Sequence, residues 1–209
     1  MMEKKNKSIK RKKKGNKNFI NLKEEYSLSL NYIKDSKNFI FSIVAVALVF
    51  GVIGFFVQVP EDVLQKIIEM LQDILKQIEG LNQFELIKFI FLNNLKSSFF
   101  GLFFGAVLGI FPVMSAIVNG YLIGFVAQQA VSAEGIFTLL RLLPHGIFEL
   151  PAVFISLGMG LRLGTFIFHK NKIKTLKSFF WNSFRVFIFV VIPLLVVAAI
   201  IEGTLISLF

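Results

Sequence analysis

No acidic or basic side chain occurs between Lys37 and Glu61, between Lys96 and Glu134, or between Arg185 and Glu202. A chain that withholds charge over such distances has no ionic surface to offer water there, which suits it to hydrocarbon. About 20 apolar residues in a helix cover the ~30 Å hydrocarbon core of a bilayer at ~1.5 Å of rise each. Composition agrees, with 55% apolar residues, 26 phenylalanines and a mean hydropathy of +0.71. A soluble domain carries about 45–50% apolar residues. The sequence therefore reads as an all-α integral membrane protein.

Five transmembrane helices are expected, at about 38–57, 97–111, 113–131, 146–168 and 186–207, in a single membrane domain spanning 38–209. The uncharged stretch 97–131 amounts to about 52 Å of helix, enough for two short spans turning near Phe111 and Pro112. Pro193 is expected to kink the last span. The segment 61–80, "EDVLQKIIEMLQDILKQIEG", differs in kind. Leu64, Ile67, Ile68, Leu71, Ile74, Leu75 and Ile78 recur at three-and-four spacing and draw one apolar stripe on a helix too polar to span. Gly80 is its expected stop.

Charge suggests an orientation. Residues 3–37 hold twelve Lys/Arg against four Asp/Glu, residues 58–85 hold two Lys against six acids, and 169–185 hold five positive residues and no acid. Five spans with the tail inside satisfy the positive-inside rule at each of these segments. The N-terminus is then cytoplasmic, the C-terminus outside and the amphipathic helix extracytoplasmic. The tail, 1–37, is expected to be disordered at its start and to meet anionic lipid headgroups. It has no aromatic interleaving and no reading motif, so no nucleic-acid partner is expected. The first apolar run lacks a small-residue cleavage site and reads as an uncleaved anchor. Cysteine is absent, which removes disulfides and thiolate chemistry.

Several polar residues sit where the neighbours are apolar. Arg141, His145 and Glu149 would share one helix face at i, i+4 spacing. Pro144, Gly146 and Pro151 argue for a broken or re-entrant segment near 141–151. Ionisable groups at membrane depth normally face the bundle interior and find a partner. The leading reading is a structural clamp, with Glu149 neutralised by His145 or Arg141. A proton, ion or substrate site is the alternative, and two ligands in "HGIFE" are too few to expect a metal or other cofactor. Asn93, Asn94 and Asn119 are read as interhelical bridges. Arg162 is read as an interface anchor that snorkels to headgroups. Gly101, Gly105 and Gly109 lie four apart, as do Gly120 and Gly124. Without side chains such faces let helix backbones approach closely.

"FLNNLKSSFFGLFFGAVLGIFPVMSAIVNGYLIG" followed by "LLPHGIFELPAVFISLGMGLRLG" resembles the stage II sporulation protein M family of polytopic membrane proteins. The resemblance runs over roughly 38–209 and rests on Asn93-Asn94, Asn119-Gly120, Pro144-His145-Gly146 and Glu149-Leu150-Pro151. It implies a non-enzymatic membrane scaffold or complex subunit, like the named member that holds envelope-remodelling enzymes at a membrane. Protein partners or a homo-oligomer follow from that reading. A transporter or channel component using Arg141, His145 and Glu149 is the second expectation, and an intramembrane enzyme the weakest.

Overall fold

Interior glycines decide how this bundle is assembled. In the computed structural model, residues 21–57 and 59–208 are described, with the side chains of 140–145 excepted. Among them are helices and no strand: α1 (Leu22–Asp35), α2 (Lys37–Phe56), α3 (Glu61–Ile78), α4 (Gln83–Phe103), α5 (Ile110–Glu134), α6 (Leu139–Gly164), α7 (Lys172–Val186) and α8 (Ile192–Leu208). Among the described residues four stretches, Lys37–Phe56, Ile110–Glu134, Gly146–Phe168 and Lys172–Leu208, are long and apolar enough to cross a membrane. The fold class is thus all-α and membrane-type.

Backbone seams set the helix directions. A Cβ on Gly120 would strike the carbonyl of Ala47, and one on Gly124 the carbonyl of Gly51, so α2 and α5 run parallel. A Cβ on Gly105 would strike the backbone of Gly160, and one on Gly164 would come within 2.6 Å of the Gly105 oxygen, so α4 and α6 are also parallel. Ser156 Oγ donates to the Ser98 carbonyl at 2.7 Å along the same seam. Gly158 lies against Ile40 and Gly203 against Ile87, which makes α6 antiparallel to α2 and α8 antiparallel to α4. Lipid offers no hydrophobic drive between helices, so this close van der Waals packing supplies much of the association. The central element is α6. Half of its apolar window is buried, against 17% of α2, and Ala152, Met159 and Leu163 are fully enclosed.

The expected second span, 97–111, is corrected by the fold. Helix α4 begins at Asn82, whose Oδ1 accepts from the Glu85 amide at 3.1 Å while Glu85 Oε2 accepts from the Asn82 amide at 2.9 Å. This capping box starts the helix well before the uncharged block, and α4 ends at Phe103. The turn lies at 104–109, closed by Gly109 N donating to Gly105 O at 2.8 Å. Gly109 takes φ +70 there, a backbone shape that glycine adopts freely. Pro112, expected at the turn, is the third residue of α5, where a missing N–H costs nothing because first-turn amides have no helical partner. The broken segment near 141–151 is corrected as well: α6 is helical from Leu139 to Gly164, through Pro151. A spanning helix tolerates the lost bond when its neighbours pack around it. Ahead of Pro193 the backbone widens to a π-helical turn at Phe187–Val191. Pro193 cannot donate to the carbonyl four residues back, which belongs to that turn.

The described part of the tail is helical. Helix α1 docks on α7, with Arg185 Nε donating to Glu25 Oε2 at 2.5 Å and Arg185 Nη1 to Asn182 Oδ1 at 2.8 Å. Both charged side chains are 28% exposed. A double-mutant cycle of Glu25→Gln and Arg185→Gln is expected to give a coupling of about 1 kcal/mol in detergent-solubilised protein, at the upper end for partly exposed pairs. Additive single effects would show that the pair contributes nothing to docking α1.

Candidate functional site: a polar cavity beside an amphipathic helix

The sequence scatters Asn93, Asn94, Asn119 and Glu149 over more than fifty residues, and the fold brings them to one place. They line a cavity of about 440 Å³ enclosed by α4, α5, α6 and α8. Asn93 and Asn94 come from the middle of α4, Asn119 from α5 and Glu149 from α6. Leu71, Ile74 and Ile78 of α3 close the cavity on one side, so the apolar stripe of α3 forms its roof. The remaining wall is apolar, with Phe154 and Leu157 of α6 among it.

Glu202 is the member that sequence reasoning missed. It lines the same cavity from α8, and its Oε2, like that of Glu149, is fully enclosed by protein. Each carboxylate has a further interaction within the fold. The signal was present: Glu202 stands inside the expected span 186–207, and a carboxylate there marks a functional position by default. Asn119 donates from Nδ2 to the Ser115 carbonyl at 2.8 Å and to its hydroxyl at 3.1 Å, which leaves Oδ1 as its acceptor. Arg141, His145 and Pro144 lie outside the described side chains, so the expected Arg141–His145–Glu149 ridge is not described. Gly146 and Pro151 are positions within continuous α6.

The glycine residues singled out by spacing all lie at helix contacts. Gly101 faces Leu157, Gly105 the backbone of Gly160, Gly109 the Leu161 side chain at 2.8 Å, Gly120 Ala47 and Gly124 Gly51. Their counterparts Gly51, Gly160 and Gly164, and the contact glycines Gly158 and Gly203, were not among them.

Arg162 is a correction. It does not reach for headgroups; it is half-buried at the other end of the bundle. Its Nη1 donates to Ser36 Oγ at 2.6 Å and to the Tyr32 carbonyl at 3.4 Å. Its guanidinium carbon sits 4.2 Å from the Tyr32 ring centre and 5.0 Å from that of Phe179. Cation–π attraction of this kind is strongest where water is excluded. Burial pushes the Tyr32 phenol above its ordinary range, against the opposing pulls of Ser183 and Arg162. One guanidinium therefore ties α1, α2, α6 and α7 together.

With this geometry in view, the comparison with known families decides the lineage. The model of the stage II sporulation protein M family matches residues 11–205. The chain belongs to that family. The match begins inside the basic tail, so the stage II sporulation protein M unit includes α1 as well as the membrane bundle. Comparisons with curated proteins and with solved structures gave no match.

Proposed function

We propose that this stage II sporulation protein M family member is a non-enzymatic membrane scaffold that holds a protein partner on α3. Helix α3 is the observation that carries this reading. It has no buried residue, it packs extensively against no other element, and Ile68 and Leu75 of its stripe are exposed. Helices that lie on membranes carry Lys and Arg on the polar face. Helix α3 carries four acids, Glu61, Asp62, Glu69 and Asp73, against Lys66 and Lys76, and Glu79 follows at its end. An acidic amphipathic helix suits a basic, grooved protein surface better than anionic headgroups. The positive-inside rule places α1 and α7 in the cytoplasm and α3 outside. Counting α4 as a span gives five, with the C-terminus outside.

The test is Ile68→Glu, solubilised from native membranes. The variant is expected to keep wild-type thermal stability, because the side chain is exposed, and to migrate as a smaller particle than wild type on native gels. Equal particle size would remove the scaffold reading.

A transport component is the second reading, favoured by the cavity at Glu149 and Glu202. Glu149→Gln distinguishes the two: proteoliposome flux lost in a folded variant supports transport, and partner assembly lost without any intrinsic flux supports the scaffold.

A further inference from the structure

Helix α4 carries a charge at a depth where charge is costly. The carbonyl of Ser98 in α4 accepts from the Ser156 hydroxyl, and Ser156 stands midway along the apolar stretch Gly146–Phe168. Gly105 meets Gly160 to one side of that pair, and Ile87 meets Gly203 to the other. Helix α4 therefore shares the depth of the spanning helices it packs on. Lys96 lies next to this level, about 3 Å from Ser98 along the axis, and it is exposed.

The exposure is sideways. Ser98, Gly101 and Leu102 turn into the bundle and are buried, whereas Leu92, Lys96, Phe100 and Phe103 are exposed. These four recur at three-and-four spacing and so form one helical face. The residues three and four away from Lys96 are Leu92, Asn93, Phe99 and Phe100, none of them charged. Among the described residues Lys96 has no ion pair and no side-chain hydrogen bond. Headgroups are badly placed for it. A helical side chain leans toward the helix N-terminus, and that end of α4, Gln83, is about 20 Å away. An ionisable group at this depth normally faces a partner.

We propose that this face of α4 is an intramembrane docking surface for the transmembrane helix of a different protein, one with an aspartate or glutamate near its midpoint. Acyl chains hold no acceptor for an ammonium. A second copy does not supply the counter-charge either. Copies in one membrane share an orientation, so a two-fold pair through this face sets Lys96 against Lys96. The acids of α4 and the four spanning stretches are Glu85, Glu134, Glu149 and Glu202. Glu85 and Glu134 stand at helix ends. Glu149 is about 10 Å along α6 from Ser156. Glu202 adjoins Gly203, which packs on Ile87, about 13 Å along α4 from Lys96. Both also have interactions within the fold. A carboxylate from another protein neutralises Lys96 while Leu92 and Phe100 pack beside it. Polar contacts between helices are a means of association in lipid, where apolar surface alone gives little drive. The surface is separate from α3 and does not depend on it.

The experiment places a photo-crosslinking residue at Leu92 or at Phe100 of the full chain and irradiates intact cells. A discrete protein adduct is expected from both, and the crosslinked peptide, mapped by mass spectrometry, is expected to be an apolar segment with an internal Asp or Glu. Its yield should fall about tenfold in Lys96→Leu, the scale of one interhelical polar contact in lipid, and hold in Lys96→Arg. The adduct is expected to persist in Ile68→Glu, so that loss of the α3 reading leaves it in place. Thermal unfolding of each variant is measured alongside, and Lys96→Gln replaces Lys96→Leu if the latter is unstable. A probe of known chemistry gives a second reading. Single-span polyleucine peptides with a central Glu, Gln or Lys are co-reconstituted with the full chain in phosphatidylcholine liposomes. The Glu peptide should be captured about tenfold over the other two, and only where residue 96 is basic. Lipid adducts alone, an adduct to a second copy of this chain, a yield unchanged in folded Lys96→Leu, or equal capture of the three peptides would overturn the proposal.

Discussion

Gly105→Leu and Gly124→Leu are each expected to abolish the folded monodisperse protein. A Cβ at Gly105 would already strike the carbonyl oxygen, carbon and Cα of Gly160, and one at Gly124 would strike the carbonyl of Gly51 and reach Phe55 N at 3.0 Å. These are backbone atoms of helices α6 and α2, so no rotamer change relieves the clash. Overpacking a core costs about 1–3 kcal/mol where side chains yield, and more is expected where two helices must move apart. Lipid cannot compensate, because the lost contact was itself the attraction between helices. Thermal unfolding in detergent and size-exclusion profiles check this. Gly101→Ala serves as the contrast: its Cβ meets only the end of the Leu157 side chain, which can turn, so that variant should fold. A folded Gly124→Leu with wild-type stability would contradict the parallel α2–α5 seam.

Arg162→Ala is the second large effect, about 2–3 kcal/mol. It removes a charge-assisted hydrogen bond to the buried Ser36 hydroxyl and the stacking on Tyr32 and Phe179, each worth about 1–2 kcal/mol. The loss should be local to one end. Amides of α1 are expected to exchange much faster with deuterium, while those near Asn119 and Glu149, at the other end of the bundle, keep their protection. Arg162→Lys should restore only part, since an ammonium lacks the planar guanidinium that lies over the Tyr32 and Phe179 rings. Unchanged exchange in α1 would show that Glu25–Arg185 alone holds it.

These two sites also show where the sequence was legible. Charge gaps located the spans around α2, α5 and α8 because excluding charge from hydrocarbon is the strongest constraint on such a chain. Four-residue glycine spacing named half of each seam, and partners such as Gly160 required knowing which helices meet. Helix α4 was misplaced because Lys88, Asn93, Asn94 and Lys96 resemble an approach through headgroups. Hydropathy cannot distinguish a polar face turned to an internal cavity from one turned to water. Glu202 marked the edge of a charge gap in sequence, and only the fold sets it beside Glu149. Arg162 carried the same ambiguity: an arginine near a span end snorkels unless something nearer receives it. Here Tyr32 and Ser36, some 130 residues earlier in the chain, receive it first.

The central claim is that α3 is an interface for a protein. It is tested most directly by placing a photo-crosslinking residue at Leu75, 60% exposed on the α3 stripe, and at Phe41, 68% exposed on α2, and irradiating intact cells. The account predicts a discrete protein adduct from position 75 and lipid adducts from position 41. Lipid adducts alone at both positions would contradict it.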